Sequence, residues 1–182
     1  MIVLQRTCAD LNRKMKGRIE DRVVYSPYPD IEIPVCSFYT LAKEQLMKNP
    51  DKLALIDEAL SLTRGQLLVR CQRYAVGFRR HGVNPGDLIC VHLENSVESI
   101  AAMYGCVFAG ATIVLLKTSL TEPGFVSVTD FATLDEQDFQ ECPVVDPKST
   151  VLAVCYTSGS AGLPKGVEIS HYNYVGCFYT CR

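Results

Sequence analysis

An α/β fold, in which a βαβαβ unit makes half of a doubly wound and mainly parallel sheet, follows from three features of the 182-residue sequence. Two stretches with apolar residues at helical spacing, Thr63 to Phe78 and Ser96 to Phe108, alternate with three short apolar runs, Leu53 to Asp57, Leu88 to Leu93 and Ala111 to Leu116. Strands and helices in that alternation build a parallel sheet through right-handed crossovers. A further apolar run, Val151 to Tyr156, opens into a segment dominated by Gly, Ser and Thr.

The elements follow in order. Pro27, Pro29 and Pro34 remove backbone donors and block helix, so residues 1–34 read as an extended arm and 35–182 as the folded body. Ser37 caps a helix to about Lys48, which Asn49-Pro50 stops. Thr63 with Gln66 is a capping box, and Leu67, Leu68, Cys71, Tyr74, Ala75 and Phe78 line one face of the helix that Gly82 ends. Asn84-Pro85-Gly86-Asp87 is a turn before the Leu88 strand. The helix from Ser96 stops at Gly110, and Phe125 to Val128 is strand-like. Asp130 to Gln140 is acidic and polar, and Pro143 to Thr150 has the composition of a linker.

Composition excludes several classes. A chain that is 48% hydrophobic and 21% charged, with a formal net charge of -2, has the ordinary balance of a soluble globular domain. Nucleic-acid binding needs clustered cations, whereas Arg13, Lys14, Lys16 and Arg18 are flanked by Asp10, Glu20 and Asp21. No apolar run reaches the roughly 18 residues of a membrane span, and Met1 to Leu4 is too short for a secretory signal, so an intracellular protein is expected. Nine cysteines without a Cys-x-x-Cys pair do not form a disulfide framework. Cys71, Cys90, Cys106 and Cys155 lie in apolar stretches and are expected to be small buried hydrophobes. His171, Cys177 and Cys181 together lack a fourth ligand for zinc.

The chemistry lies in Thr157-Ser158-Gly159-Ser160-Ala161-Gly162-Leu163-Pro164-Lys165-Gly166, which follows the Val151 strand. Gly159 and Gly162 allow sharp turns that present N–H groups to anionic oxygens, Thr157, Ser158 and Ser160 add hydroxyls, and Lys165 adds a point charge. Polyphosphate suits such a loop. It is not a Walker A motif, because Pro164 precedes the lysine and Gly166 follows it.

Ser158 to Gly166 resembles the nucleotide loop of the adenylate-forming, AMP-binding superfamily, which includes acyl-CoA synthetases, coumarate CoA ligases, luciferases and peptide-synthetase adenylation domains. Seven matches at fixed offsets would arise by chance with odds on the order of 10⁻⁶ at average residue usage. Tyr25 to Pro34, Pro50 to Asp57, Gly82 to Asp87, Glu94-Asn-Ser96, Gly110-Ala111 and Ser170-His-Tyr-Asn173 are similar to that family's early landmarks, so the resemblance covers nearly the whole chain.

The resemblance implies the truncated N-terminal part of the adenylate-forming fold. In that family a carboxylate attacks the α-phosphorus of ATP, pyrophosphate leaves, and the acyl-adenylate passes to the thiol of coenzyme A, with Mg²⁺ assisting. Thr157, Ser158, Gly159, Ser160, Ala161, Gly162, Pro164, Lys165 and Gly166 would then hold ATP phosphates, and no catalytic residue is assigned. A binding site for a carboxylic acid belongs to the intact family, with fatty, aromatic and luciferin-like acids all open. Two departures from the pattern appear. The segment between Ala111 and Thr157 is short, as though an internal deletion joined residues near 122–123, through an omitted exon or an incomplete gene prediction. The family's C-terminal domain, with its catalytic lysine, has no counterpart here, so the expectation is a fragment inactive alone, or a non-enzymatic form with weak nucleotide binding. His171, Tyr172 and Asn173 fit either a helix start packed on the loop or a substrate-facing position. Cytoplasm and peroxisome both stay open, since Thr180-Cys-Arg182 is not a peroxisomal address.

Overall fold

The computed structural model describes residues 17–26, 28, 30–92, 95–116, 127–158 and 164–181, which fall into two units, within Met1–Glu32 and Ile33–Arg182. In the first unit, β1 (Arg18–Glu20) pairs antiparallel with β2 (Val23–Tyr25). Asp21 and Arg22 both have positive φ, 49° and 67°, the geometry of a two-residue turn that matches strand twist. These residues therefore form a hairpin rather than the expected extended arm, because Ile19 and Val24 face each other as a β-branched pair across it. Arg18, from the basic cluster, pairs with Glu20 at 3.1 Å, and residues 1–16 lie outside the described ones.

The second unit starts with α1 (Phe38–Met47), whose cap Ser37 accepts a hydrogen bond from the Thr40 N–H at 3.0 Å. Next comes β3 (Leu53–Ile56), and here the structure corrects the sequence reading. β3 does not join the parallel sheet; it pairs antiparallel with β4 (Ser61–Thr63). Asp57 closes the intervening turn, its Oδ1 accepting from the N–H groups of Ala59 (2.9 Å) and Leu60 (2.7 Å). So tight a turn satisfies the strand's backbone locally and removes it from the crossover pattern.

The capping box of Thr63 and Gln66 starts α2 (Arg64–Arg80), and Ser96 caps α3 (Val97–Phe108). Oδ2 of Asp57 also accepts from Val97 N–H at 2.7 Å. That bond, followed by those from Leu60 and Ala59, holds the Asp57 carboxyl below the usual carboxylate range. Between the helices, β5 (Leu88–His92) follows a turn in which Gly86 has φ +88°. β6 (Thr112–Leu116), β7 (Val151–Thr157) and β8 (Lys165–Ser170) complete a sheet of order β5-β6-β7-β8 among the described residues. β5, β6 and β7 are parallel, and β8 runs antiparallel to β7. The α/β class with a mainly parallel sheet thus stands, with β5-α3-β6 as its crossover unit.

Side chains from α2, α3 and one sheet face, including Leu68, Tyr74, Cys106, Phe108, Val91, Ile113 and Ala153, build the core. The opposite face is buried at Val114, while Leu88 (62%), Tyr156 (60%) and Cys90 are exposed around it. Cys90 therefore departs from the expected buried role, because strand alternation puts it on the open face. Cys71 and Cys106 are buried, with burial pushing the Cys106 thiol up to about 12, and Cys155 is half-buried.

The strand-like run Phe125 to Val128 lies partly outside the described residues, and its last two residues are irregular. The acidic stretch that follows forms two 3₁₀ turns, Thr129–Thr133 and Glu136–Asp138, docked on α2. Arg73 pairs with Glu136 at 2.8 Å and Arg80 with Asp138, while Phe131 packs on Phe78 and His81.

Finally, α4 (His171–Thr180) starts beside α1: the Phe38 N–H donates to Nδ1 of buried His171 at 3.1 Å. An imidazole that accepts there is neutral, and burial holds its pKa down at about 4 against 6.5. The unfolded state therefore takes up the proton first. The stabilisation is fully present above pH 6.5 and is lost as pH falls towards 4, by about 3 kcal/mol in all. Urea titrations at pH 7 and pH 4.5 should show this loss in the natural chain, and a smaller one in His171→Asn, which keeps an acceptor without titrating.

α2 and α3 cross at Gly105, where an added Cβ would stand 2.3 Å from Tyr74 Cβ and 2.8 Å from the Cys71 carbonyl. Beside this contact the buried Tyr74 hydroxyl donates to Glu98, which also lies 3.5 Å from Arg70. Gly105→Ala should lower the unfolding free energy by about 1–3 kcal/mol, through forced separation of the helices, as read by denaturant midpoint.

Candidate functional site

The Gly/Ser-rich segment connects β7 to β8, which pair antiparallel. β7 ends at Thr157 and β8 begins at Lys165, and those two residues form the last pair of the ladder. Thr157 Oγ1 donates to the Lys165 carbonyl at 3.4 Å, a contact long enough to yield to a better acceptor. Ser158 opens the loop, and Pro164 precedes β8. Gly159, Ser160, Ala161 and Gly162 lie outside the described residues. The structure therefore brings both ends of the sequence-predicted site together.

Thr157, Ser158, Pro164, Lys165 and Gly166 are all exposed. Among the described residues no carboxylate pairs with the Lys165 ammonium, and the described ends of the loop thus carry one cation and the hydroxyls of Thr157 and Ser158. That donor set fits an anion with several oxygens. A Cβ on Gly166 would meet Val154 Cγ1 at 3.2 Å, so a side chain there presses on the strand that carries the loop. Because β5, β6 and β7 run in parallel, the loop sits at the carboxyl edge of the sheet, the edge at which open α/β sheets bind ligands.

A cleft of about 580 Å³ opens at the same edge, beside Val91, Leu115, Met103 and Ile100. Among the described residues its one acidic group, Asp57, is committed to backbone N–H groups, and no cation lines it. Asn95, Ser96 and Ser99 are its other polar lining residues.

His171, Tyr172 and Asn173 are engaged structurally. The His171 ring bonds the start of α1, Tyr172 N–H donates to the Pro147 carbonyl at 2.8 Å, and Asn173 completes a capping box with Ser170. All three thus serve the start of α4, through partners at Phe38, Pro147 and Ser170 and not in the loop. Sequence reasoning missed β8, although the alternation of Val167 and Ile169 around Glu168 signals a strand. Asn173→Ala should cost about 1 kcal/mol of stability and leave affinity for ATP unchanged, measured by thermal denaturation and by titration with the nucleotide.

The profile of the AMP-binding enzyme family matches residues 42–134 and 125–182. Pyochelin synthetase PchE from Pseudomonas aeruginosa is 33% identical over 148 residues, covering 67% of this chain and 10% of that protein. Among solved structures, the long-chain-fatty-acid-CoA ligase FadD1 from Archaeoglobus fulgidus superposes with a TM-score of 0.73 at 20% identity, over 90% of this chain and 41% of its own. O-succinylbenzoate coenzyme A synthetase (MenE) from Bacillus subtilis, in complex with AMP, superposes with a TM-score of 0.60 at 21% identity, over 75% and 43%. The chain thus spans less than half the length of each of these proteins.

Proposed function

This chain belongs to the AMP-binding enzyme family, and from that membership we propose that its β7–β8 loop holds the β- and γ-phosphates of ATP while a carboxylic acid is activated as an acyl-adenylate. The observation that carries the reading is the exposed Lys165, with no carboxylate partner among the described residues and held across a ladder pair from Thr157. Backbone N–H groups, hydroxyls and one cation stabilise the charge that gathers on departing pyrophosphate as a carboxylate oxygen displaces it from the α-phosphorus. The loop residues bind and position; none forms a covalent bond.

Mg²⁺ would arrive with the triphosphate and supply charge neutralisation on its oxygens. Thr157 and Ser158 present the hard oxygen donors that suit it. Transfer of the acyl group to the thiol of coenzyme A follows the resemblance of the opening landmarks to acyl-CoA and aryl-CoA ligases. Adenine and acid recognition require an enclosed pocket with convergent polar groups, which the exposed described ends of the loop do not form. The 182 residues by themselves are therefore expected to hold nucleotide weakly and to show no acid-dependent exchange of pyrophosphate into ATP. A shortened connection between β6 and β7, joined near residues 122–123, is part of the same reading, and the two overlapping segments of the family match support it.

Lys165→Ala removes a charge-assisted contact worth about 1.5–3 kcal/mol, so ATP affinity should fall about 10- to 100-fold. Limited proteolysis between residues 157 and 165 reads this directly: ATP should protect the natural loop, and the variant should need correspondingly more. Equal protection of both, or acid-dependent exchange by the isolated chain, would overturn the respective halves of the proposal.

A further inference from the structure

Cys177 and Cys181 stand one turn apart at the end of α4, both exposed, with their sulfurs 3.7 Å from each other. Two thiolates bound to one tetrahedral zinc ion, at about 2.3 Å each, are held about 3.8 Å apart. The pair thus has the bite of a zinc ion without any movement of the backbone, and three intervening residues fall within the usual spacing of paired zinc cysteines.

We propose that Cys177 and Cys181 form a two-thiolate half-site for a zinc ion, which a second copy of the chain completes as a four-cysteine site on a two-fold axis. His171 is not the third ligand, because its ring is buried and bonded to Phe38. Among the described residues no group of three or more His, Cys, Asp or Glu side chains is arranged to hold a metal. A second copy related by a two-fold axis, the commonest closed symmetry, supplies an identical pair for the remaining two tetrahedral positions. Half-exposed Phe178, between the two cysteines on the same helix, adds apolar surface at the joint. On assembly, the ion replaces the four thiol protons.

The metal-free chain is titrated with zinc chloride alone, and bound zinc and sedimentation are followed together. The expected result is one zinc per two chains, with conversion of monomer to dimer that is reversed by a chelator. Cys177→Ser and Cys181→Ser should each abolish both, with circular dichroism unchanged, while Cys90→Ser and Cys8→Ser change neither. Failure of the natural chain to retain zinc, one zinc per monomer, undiminished binding by the doubly substituted chain, or loss of binding on replacing Cys8 alone would each overturn the shared site.

Discussion

The antiparallel ladder between β7 and β8 is the constraint on which the candidate site depends. Backbone pairing from Val151 with Ser170 to Thr157 with Lys165 anchors both ends of the Gly/Ser-rich segment. Without it, fixing the loop around a polyphosphate would cost the conformational entropy of every residue between them. With it, the ends are ordered before any ligand arrives, and the lysine is held opposite the threonine. The same ladder delivers Ser170 to the start of α4, which is why the loop, the sheet and the helix form one connected unit.

That ladder is in turn supported by the layer beneath it. α2 and α3 approach closely at Gly105 and fill the space under Val91, Ile113 and Ala153. Arg73 and Arg80 of α2 draw the acidic 3₁₀ turns onto its flank. A stretch that reads as a polar connection is thereby fixed, with Phe131 as its apolar anchor. Exposed ion pairs contribute little by themselves, so burial of Phe131 and Ala132 stabilises the contact more and the charges mainly set the orientation.

Asp57 shows how one side chain organises three elements. One oxygen closes the β3–β4 turn and the other caps α3, so the hairpin that left the parallel sheet still governs where the first crossover helix begins. His171 plays a comparable part at the other end of the unit, joining residues 133 positions apart in sequence. Both are polar groups whose value comes from satisfying backbone N–H groups at turns and helix starts.

Local signals decided much of this in advance. Ser37, Thr63 and Ser96 announce helix starts because a side-chain oxygen three residues ahead of an amide is a local geometry, and Gly82, Gly86 and Gly110 announce stops and turns because positive φ suits a residue without Cβ. The loop was legible for the same reason: phosphate recognition uses backbone and short side chains at fixed spacing. Pairing partners were not legible. Whether Leu53 to Ile56 enters the parallel sheet or folds back on Ser61 to Thr63, which face of β5 carries Cys90, and that His171 reaches Phe38 all turn on contacts between segments distant in sequence or on a choice between competing ladders. Amino-acid order by itself determined the helices, the turns and the phosphate-gripping composition; only tertiary structure decided the register, the faces and the anchoring of the loop, because those depend on which backbone groups find each other in space.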